Sequence, residues 1–242
     1  MKKILLALTL LLPSMAFAAG GGVALQKAHN DIDDKASLQT GAKLFVNYCM
    51  GCHSAHFSRY QRVADDLGLT VEQTKENLMP YGGKIGDTMT ISMDNDDAKQ
   101  WFGTLPPDLS VIARARGTDW LYSYLLGFYL DPSRPLGVNN TVFKDVGMPH
   151  VLWELQGWQK AVHTEHGIEL ELVDKDQMTE DEYKAKTAEY RRNVRDLVNF
   201  LEYVGEPAQL QRKELGKWVL LFLFLLFGLT YLLKKEFWRD IH

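Results

Sequence analysis

The chain has 242 residues, 46% of them hydrophobic, with a formal net charge of −4 and only two cysteines. One or two domains fit that length, and two cysteines in a single short motif leave no thiol for a disulfide framework. Residues 19–212 hold 20 Lys and Arg against 28 Asp and Glu, which excludes nucleic acid, whose phosphates need a basic face; the same acidity suits a basic protein partner and equally serves solubility.

The chain opens as an export signal. Lys2 and Lys3 precede an apolar run over residues 4–12, and Ala16-Phe17-Ala18 has the small-x-small pattern of a cleavage site. The run is too short for a membrane anchor, so residues 1–18 are expected to be a signal peptide and residues 19–212 a periplasmic domain. Residues 19–36 are Gly-rich, then polar and acidic, and are expected to lie across the surface.

A helix is predicted from Ser37. Leu38, Gly41, Ala42, Phe45 and Tyr48 recur at spacings of three and four, and Gly41 lets another helix approach closely. This helix leads into Cys49-Met50-Gly51-Cys52-His53, the pattern that attaches haem covalently. Two thiols three positions apart can each add to one vinyl group of the same porphyrin, and the following imidazole can ligate the iron. Two other chemistries use C-x-x-C. A redox dithiol needs a βαβ context, and the surroundings here read as helix. A zinc site would have to recruit Cys49, Cys52, His53 and His56, but His53 follows Cys52 too directly for tetrahedral closure.

Residues 54–67 read as a second amphipathic helix through Phe57, Tyr60, Val63 and Leu67, and residues 70–78 as a short helix capped by Thr70. Residues 79–97 are polar and Gly-rich, a long loop expected to form a functional surface or to cover a haem edge. Leu105-Pro106-Pro107-Asp108-Leu109-Ser110 must be extended, with Asp108 or Ser110 capping a helix over residues 111–128. Residues 131–150 form a turn-rich loop. Residues 151–158 are apolar and aromatic and are expected to cover the haem. Residues 165–178 are acidic and mildly alternating, a hairpin or a loop. Thr179-Glu180-Asp181-Glu182 is a capping box opening a helix that ends near Tyr203, stopped by Gly205. Its apolar face includes Tyr190, Val194, Leu197, Val198, Leu201 and Val204, suited to pack on the helix that leads into Cys49.

Residues 218–233 are apolar apart from Gly228 and Thr230. They read as one membrane span within residues 213–234, with Trp218 and the flanking lysines at the interfaces. Lys234, Lys235 and Arg239 then place the tail, residues 235–242, in the cytoplasm by the positive-inside rule.

A second iron ligand decides whether such a haem is open to gases or closed for electron transfer. Met148, between Gly147 and Pro149, sits in a stiff turn suited to a ligand; His150 is the alternative and would make a bis-His site. Taken together, Cys49-Met50-Gly51-Cys52-His53-Ser54, Leu105-Pro106-Pro107-Asp108-Leu109-Ser110 with Arg114-Ala115-Arg116, Gly147-Met148-Pro149 and one C-terminal span resemble the cytochrome c1 family, the haem subunit of the quinol–cytochrome c reductase (bc1) complex. The resemblance implies a mainly α c-type cytochrome domain with long loops and one C-terminal transmembrane helix. It implies one covalent haem c on Cys49 and Cys52, with His53 and Met148 as axial ligands. A carbonyl of Pro106 or Pro107 would accept the second ring proton of His53, and Arg116 would pair with a haem propionate.

The resemblance also implies partners: cytochrome b and Rieske iron–sulfur subunits, a c-type cytochrome acceptor, the lipid bilayer of the bacterial inner membrane, and a dimeric complex. The chain alone would be no enzyme but the electron-carrying subunit of one. The rival reading is a membrane-anchored c-type cytochrome of another respiratory complex, such as a terminal oxidase. A haem peroxidase or gas-binding protein would need an open iron.

Overall fold

A computed structural model describes residues 24–165 and 167–239. The signal peptide predicted over residues 1–18 and the last three residues of the tail lie outside them. The described residues form a helical domain, three two-stranded antiparallel ribbons and a long apolar C-terminal helix.

The segment before the first helix is more than a surface strap. Ala28 and Ile32 are buried, and the chain is pinned by Ala28 N–H to the Asp119 carboxylate (2.9 Å), Arg195 to the Ala28 carbonyl (3.0 Å) and Asn199 to the Asp31 carbonyl (2.6 Å). Helix α1 (Lys35–Leu44) begins two residues before Ser37, because the Asp34 carboxylate accepts from the Ala36 and Ser37 N–H groups. It runs into a wider π turn, Phe45–Cys49, closed by Met50 N–H on the Phe45 carbonyl (2.9 Å). Turns of this kind gather at functional sites. Here the extra residue resets the direction in which Cys49 leaves the helix.

Residues 54–67 are not one helix. They divide into β1 (Ala55–Arg59) and α2 (Tyr60–Leu67). Next come α3 (Val71–Leu78), opened by a Thr70–Gln73 capping box, then β2 (Thr88–Met89), which pairs with β1, and α4 (Asn95–Phe102), capped by Asp94. The predicted loop over 79–97 therefore contains a strand and a helix start. The predicted helix over 111–128 is broken at Gly117, whose φ of +88° leaves helical space, into α5 (Ile112–Arg116) and α6 (Thr118–Leu126). No side chain caps α5, so Asp108 and Ser110 are not its caps.

The loop that follows contains a short hairpin, β3 (Phe128–Leu130) with β4 (Val138–Asn140), and leads to α7 (Trp153–Gln156). The acidic segment is half of a second hairpin, β5 (Gln159–Thr164) with β6 (Gly167–Leu172). Helix α8 (Glu180–Gly205) carries the Thr179–Glu182 capping box, and α9 (Gln209–Phe237) ends the fold.

The core forms where α8 packs on α1, α5 and α6, burying Leu38, Phe45, Val194, Leu197, Val198 and Phe200. Helices α1 and α8 cross at Gly41, where an added Cβ would overlap the Asp196 carbonyl and lie 2.7 Å from Phe200 Cβ. Polar groups along the seam are bonded across it, with Tyr190 O–H donating to the Leu125 carbonyl (2.8 Å) and Asn199 Nδ2 to Ser37 Oγ (3.0 Å), while Asn199 Oδ1 is buried without a hydrogen-bond partner. Helix α9 is the opposite case: its apolar window has a mean hydropathy of 2.0 and none of it is buried. At 29 residues it is ~43 Å long, enough to cross a hydrocarbon core with a turn or more to spare at its two ends.

Candidate haem-binding site

The π turn places Cys49 in the core wall and winds the next residues tightly about it. The Cys49 carbonyl accepts from the N–H groups of both Cys52 (3.1 Å) and His53 (2.9 Å). The result is that Cys49, Cys52 and His53 line one apolar cavity of about 310 Å³, within the range of small-molecule sites. The two sulfurs are not bonded to each other. Burial, with the Cys52 sulfur nearby, pushes the Cys49 thiol up to about 12, and burial raises Cys52 as well. Such thiols stay protonated at neutral pH, the reverse of what a redox dithiol requires. Among the described residues no group of three or more His, Cys, Asp and Glu is placed to hold a metal ion, so the zinc alternative has no geometry.

His53 has a defined tautomer. Its Nδ1 lies 2.8 Å from the Pro107 carbonyl. A carbonyl only accepts, so Nδ1 carries the proton and the neutral ring keeps its lone pair on Nε2. Burial lowers the His53 pKa, opposed by the Pro107 bond and the Asp108 charge, which favours that neutral form.

The segment carrying Pro107 is laced to the attachment loop. Leu109 N–H donates to the Ser54 carbonyl (2.8 Å), His56 N–H to the Asp108 carboxylate (2.9 Å) and Phe57 N–H to Ser110 Oγ (3.0 Å). This is what Asp108 and Ser110 do instead of capping α5. Burial of Asp108 would raise its pKa, but the bonds from Ser110 and His56 prevail and hold it below the ordinary carboxylate range.

Met148 lines the same cavity. Its sulfur accepts a hydrogen bond from Tyr124 O–H at 3.3 Å, and its loop packs beside Phe128, Val138 and Val146. Arg116 is exposed at the cavity rim, its guanidinium 5.1 Å from the Trp120 ring centroid. His150 is elsewhere. It is buried outside the cavity, stacked on Phe128 (5.0 Å between centroids, 6°) with the Trp158 edge beside it, and burial, opposed by the Gln156 side chain, brings its pKa down to about 4.

Two expectations for the cover need correction. Of residues 151–158 only Val151 lines the cavity, while Trp153 and Trp158 stack on each other at the surface (5.6 Å, 8°). None of residues 79–97 lines it. Sequence reasoning missed Trp120 and Tyr124, which stack at 4.9 Å and 10°. With Arg116 they recur every four residues, and that spacing was the available signal.

A cofactor implied by the motif fits these residues: two thiols, an imidazole with a free lone pair and a thioether meet at one apolar space, with a cation at its rim. An α-rich domain of this kind with one long exposed apolar helix among the described residues defines the class, a membrane-anchored c-type cytochrome. The family model described as the Cytochrome C1 family matches residues 26–241. The chain is 50% identical to "Cytochrome c1" of Allochromatium vinosum, with all of both chains covered. It is 51% identical to "Ammonia monooxygenase gamma subunit" of Nitrosomonas europaea, covering 100% of this chain and 99% of that one. It is also 26% identical to "Cytochrome b/c1" of Bradyrhizobium diazoefficiens, over 86% of this chain and 34% of the other.

The chain belongs to the cytochrome c1 family. Proteins of this family carry one covalently bound haem c, and the family supports the role of haem subunit in a cytochrome bc1 complex with cytochrome b. The apolar helix α9 and the family together support a membrane-anchored bacterial protein.

Proposed function

We propose that this chain passes single electrons from a Rieske iron–sulfur protein to a c-type cytochrome, through a haem c attached at Cys49 and Cys52 and ligated by His53 and Met148. The observation that carries the reading is the meeting of Cys49, Cys52, His53 and Met148 at one apolar cavity, with the His53 proton committed to Pro107. The bound haem supplies a one-electron centre whose potential is raised by a thioether ligand.

The chain's own residues account for the rest. Pro107 fixes the tautomer and plane of His53, as an outer partner does for a metal-bound imidazole. The apolar wall excludes water and limits the polar rearrangement that a change of charge would otherwise drive. Arg116, at the rim, is suited to hold a propionate, and its present neighbour Trp120 would keep the guanidinium in place.

In the same reading, residues 19–212 form the periplasmic domain after removal of residues 1–18. Residues 213–234 cross the inner membrane against cytochrome b, residues 235–242 face the cytoplasm, and the complex is a dimer. A second reading, a membrane-anchored c-type cytochrome serving another complex, has support in the Nitrosomonas relative, which is named for a subunit of a different enzyme.

Purification of the tagged full chain from native membranes separates the two. Co-purification of a b-type haem and a Rieske centre is expected. Haem c recovered with the subunits of another oxidase or oxygenase, and without the Rieske centre, would support the second reading.

A further inference from the structure

One wall residue does something the apolar cavity does not require. Tyr124 directs its hydroxyl at the Met148 sulfur, 3.3 Å away. The ring is clamped: Trp120 stacks on one side (4.9 Å, 10°), Phe128 meets it edge-on (5.2 Å, 70°), and Asn140 Nδ2 binds the Tyr124 carbonyl at 2.8 Å. Leucine or phenylalanine would serve the wall equally well. A phenol here must find a partner, and its partner is the sulfur.

A thioether sulfur has two lone pairs and is a weak acceptor. With one lone pair held by the phenol, the other is left for a metal, and the sulfur cannot rotate freely between them. A hydrogen bond to a ligand atom also draws electron density from it. Ferric iron gains more than ferrous iron from an electron-rich donor, so a depleted sulfur favours the reduced state.

We propose that Tyr124 is a positioning residue for the Met148 sulfur, orienting its free lone pair and raising the potential of the iron it ligates. The proposal rests on the reading of Met148 as an axial ligand.

The same bond occurs once more, away from the cavity, where Tyr60 O–H lies 3.4 Å from Met50 Sδ. Tyr60 does not line the haem cavity, so Tyr60→Phe deletes a like bond without touching the candidate ligand.

The test is redox titration of the full chain with haem attached, as wild type, Tyr124→Phe and Tyr60→Phe. The methionine–iron charge-transfer band is followed in each. Tyr124→Phe is expected to keep its haem and its band, with the band shifted and the potential lowered, while Tyr60→Phe matches wild type. A Tyr124→Phe protein with wild-type potential and band overturns the inference and leaves the Met148 reading intact. An equal fall in Tyr60→Phe overturns it as well. A wild-type protein lacking the band fails the ligand reading itself, and the inference with it.

Should Tyr124→Phe not accumulate, proton NMR of the reduced wild type in detergent decides. A slowly exchanging phenol proton close to the Met148 methyl group supports the proposal, and its absence overturns it.

Discussion

The two flanks of the cavity are built in different ways. On the histidine side the chain is tied by polar bonds into a lattice: Pro107 to His53, Asp108 to His56, Ser110 to Phe57 and Leu109 to Ser54. On the sulfur side Met148 itself is held by packing, among Phe128, Val138 and Val146, with one soft bond from Tyr124, and polar bonds tie only the loop around it, where Asn139 and Asn140 accept from Asp145, Val142 and Phe143 N–H groups. An imidazole must present one nitrogen in one plane, and directional bonds provide that. A thioether tolerates small displacements, and an aromatic wall can hold it while absorbing them. The difference teaches that the histidine flank should fail when a polar bond is cut, and the sulfur flank when packing is disturbed.

Acid is the strongest way to break the comparison. His150 underlies the sulfur flank, stacked on Phe128. Its pKa is about 4 in the fold and about 6.5 in the unfolded chain. The unfolded chain therefore binds the proton first, and the stability that His150 contributes is lost as pH drops below about 6.5 and is gone below about 4, where lowered carboxylates such as Asp108 take over the fall. The loss approaches roughly 3 kcal/mol, and denaturant titration across that range measures it. His150→Phe should flatten the profile there; an unchanged profile would mean the ring is not held neutral.

Asp108→Ala attacks the other flank. It removes the acceptor for His56 and Ser110 N–H groups, a loss of about 1–2 kcal/mol. Asp108→Asn, which keeps one acceptor, should recover part of it. Thermal unfolding of the pair checks this, and equal stability of the alanine and wild-type proteins would show that the lattice does not stiffen the histidine side.

Arg116→Ala should have the smallest effect on the fold. The guanidinium is exposed and its contact with Trp120 is worth about 0.5–1 kcal/mol. If the side chain also holds a propionate, haem retention and potential change more than that stability loss would account for. Unchanged values of both would leave Arg116 a rim charge and nothing more.

The same division governs what could be read from the sequence. The attachment motif, α1 with Gly41 facing α8, the Thr70 cap, the Thr179–Glu182 capping box and the apolar helix α9 all follow local rules of spacing and capping, and all were legible. The extended Pro106-Pro107 turn was legible in the residues, whereas its use as acceptor for the His53 ring proton was expected only from the family resemblance. Residues 55–59 carry helical spacing yet form β1, because their partners lie at 88–89 and 107–110, far along the chain, and remote bonds outweigh weak local preference. The break at Gly117 was hidden by the apolar and aromatic pattern that runs on across it to Phe128, although Gly117-Thr118-Asp119 are poor helix formers. The sulfur flank was the least legible part. Met148 stood out by its turn, but Tyr124, Phe128 and the burial of His150 away from the cavity depend on how β3 and β4 fold back, which no local pattern announces.

The central claim is a haem iron held between His53 and Met148, and the spectrum of Met148→Leu tests it most directly. Leucine keeps the volume of the sulfur flank, so the protein should fold with its haem still attached at Cys49 and Cys52. The account predicts that the methionine–iron charge-transfer band present in the wild type disappears in the variant and that the potential falls. A variant that keeps both the band and the wild-type potential would contradict it.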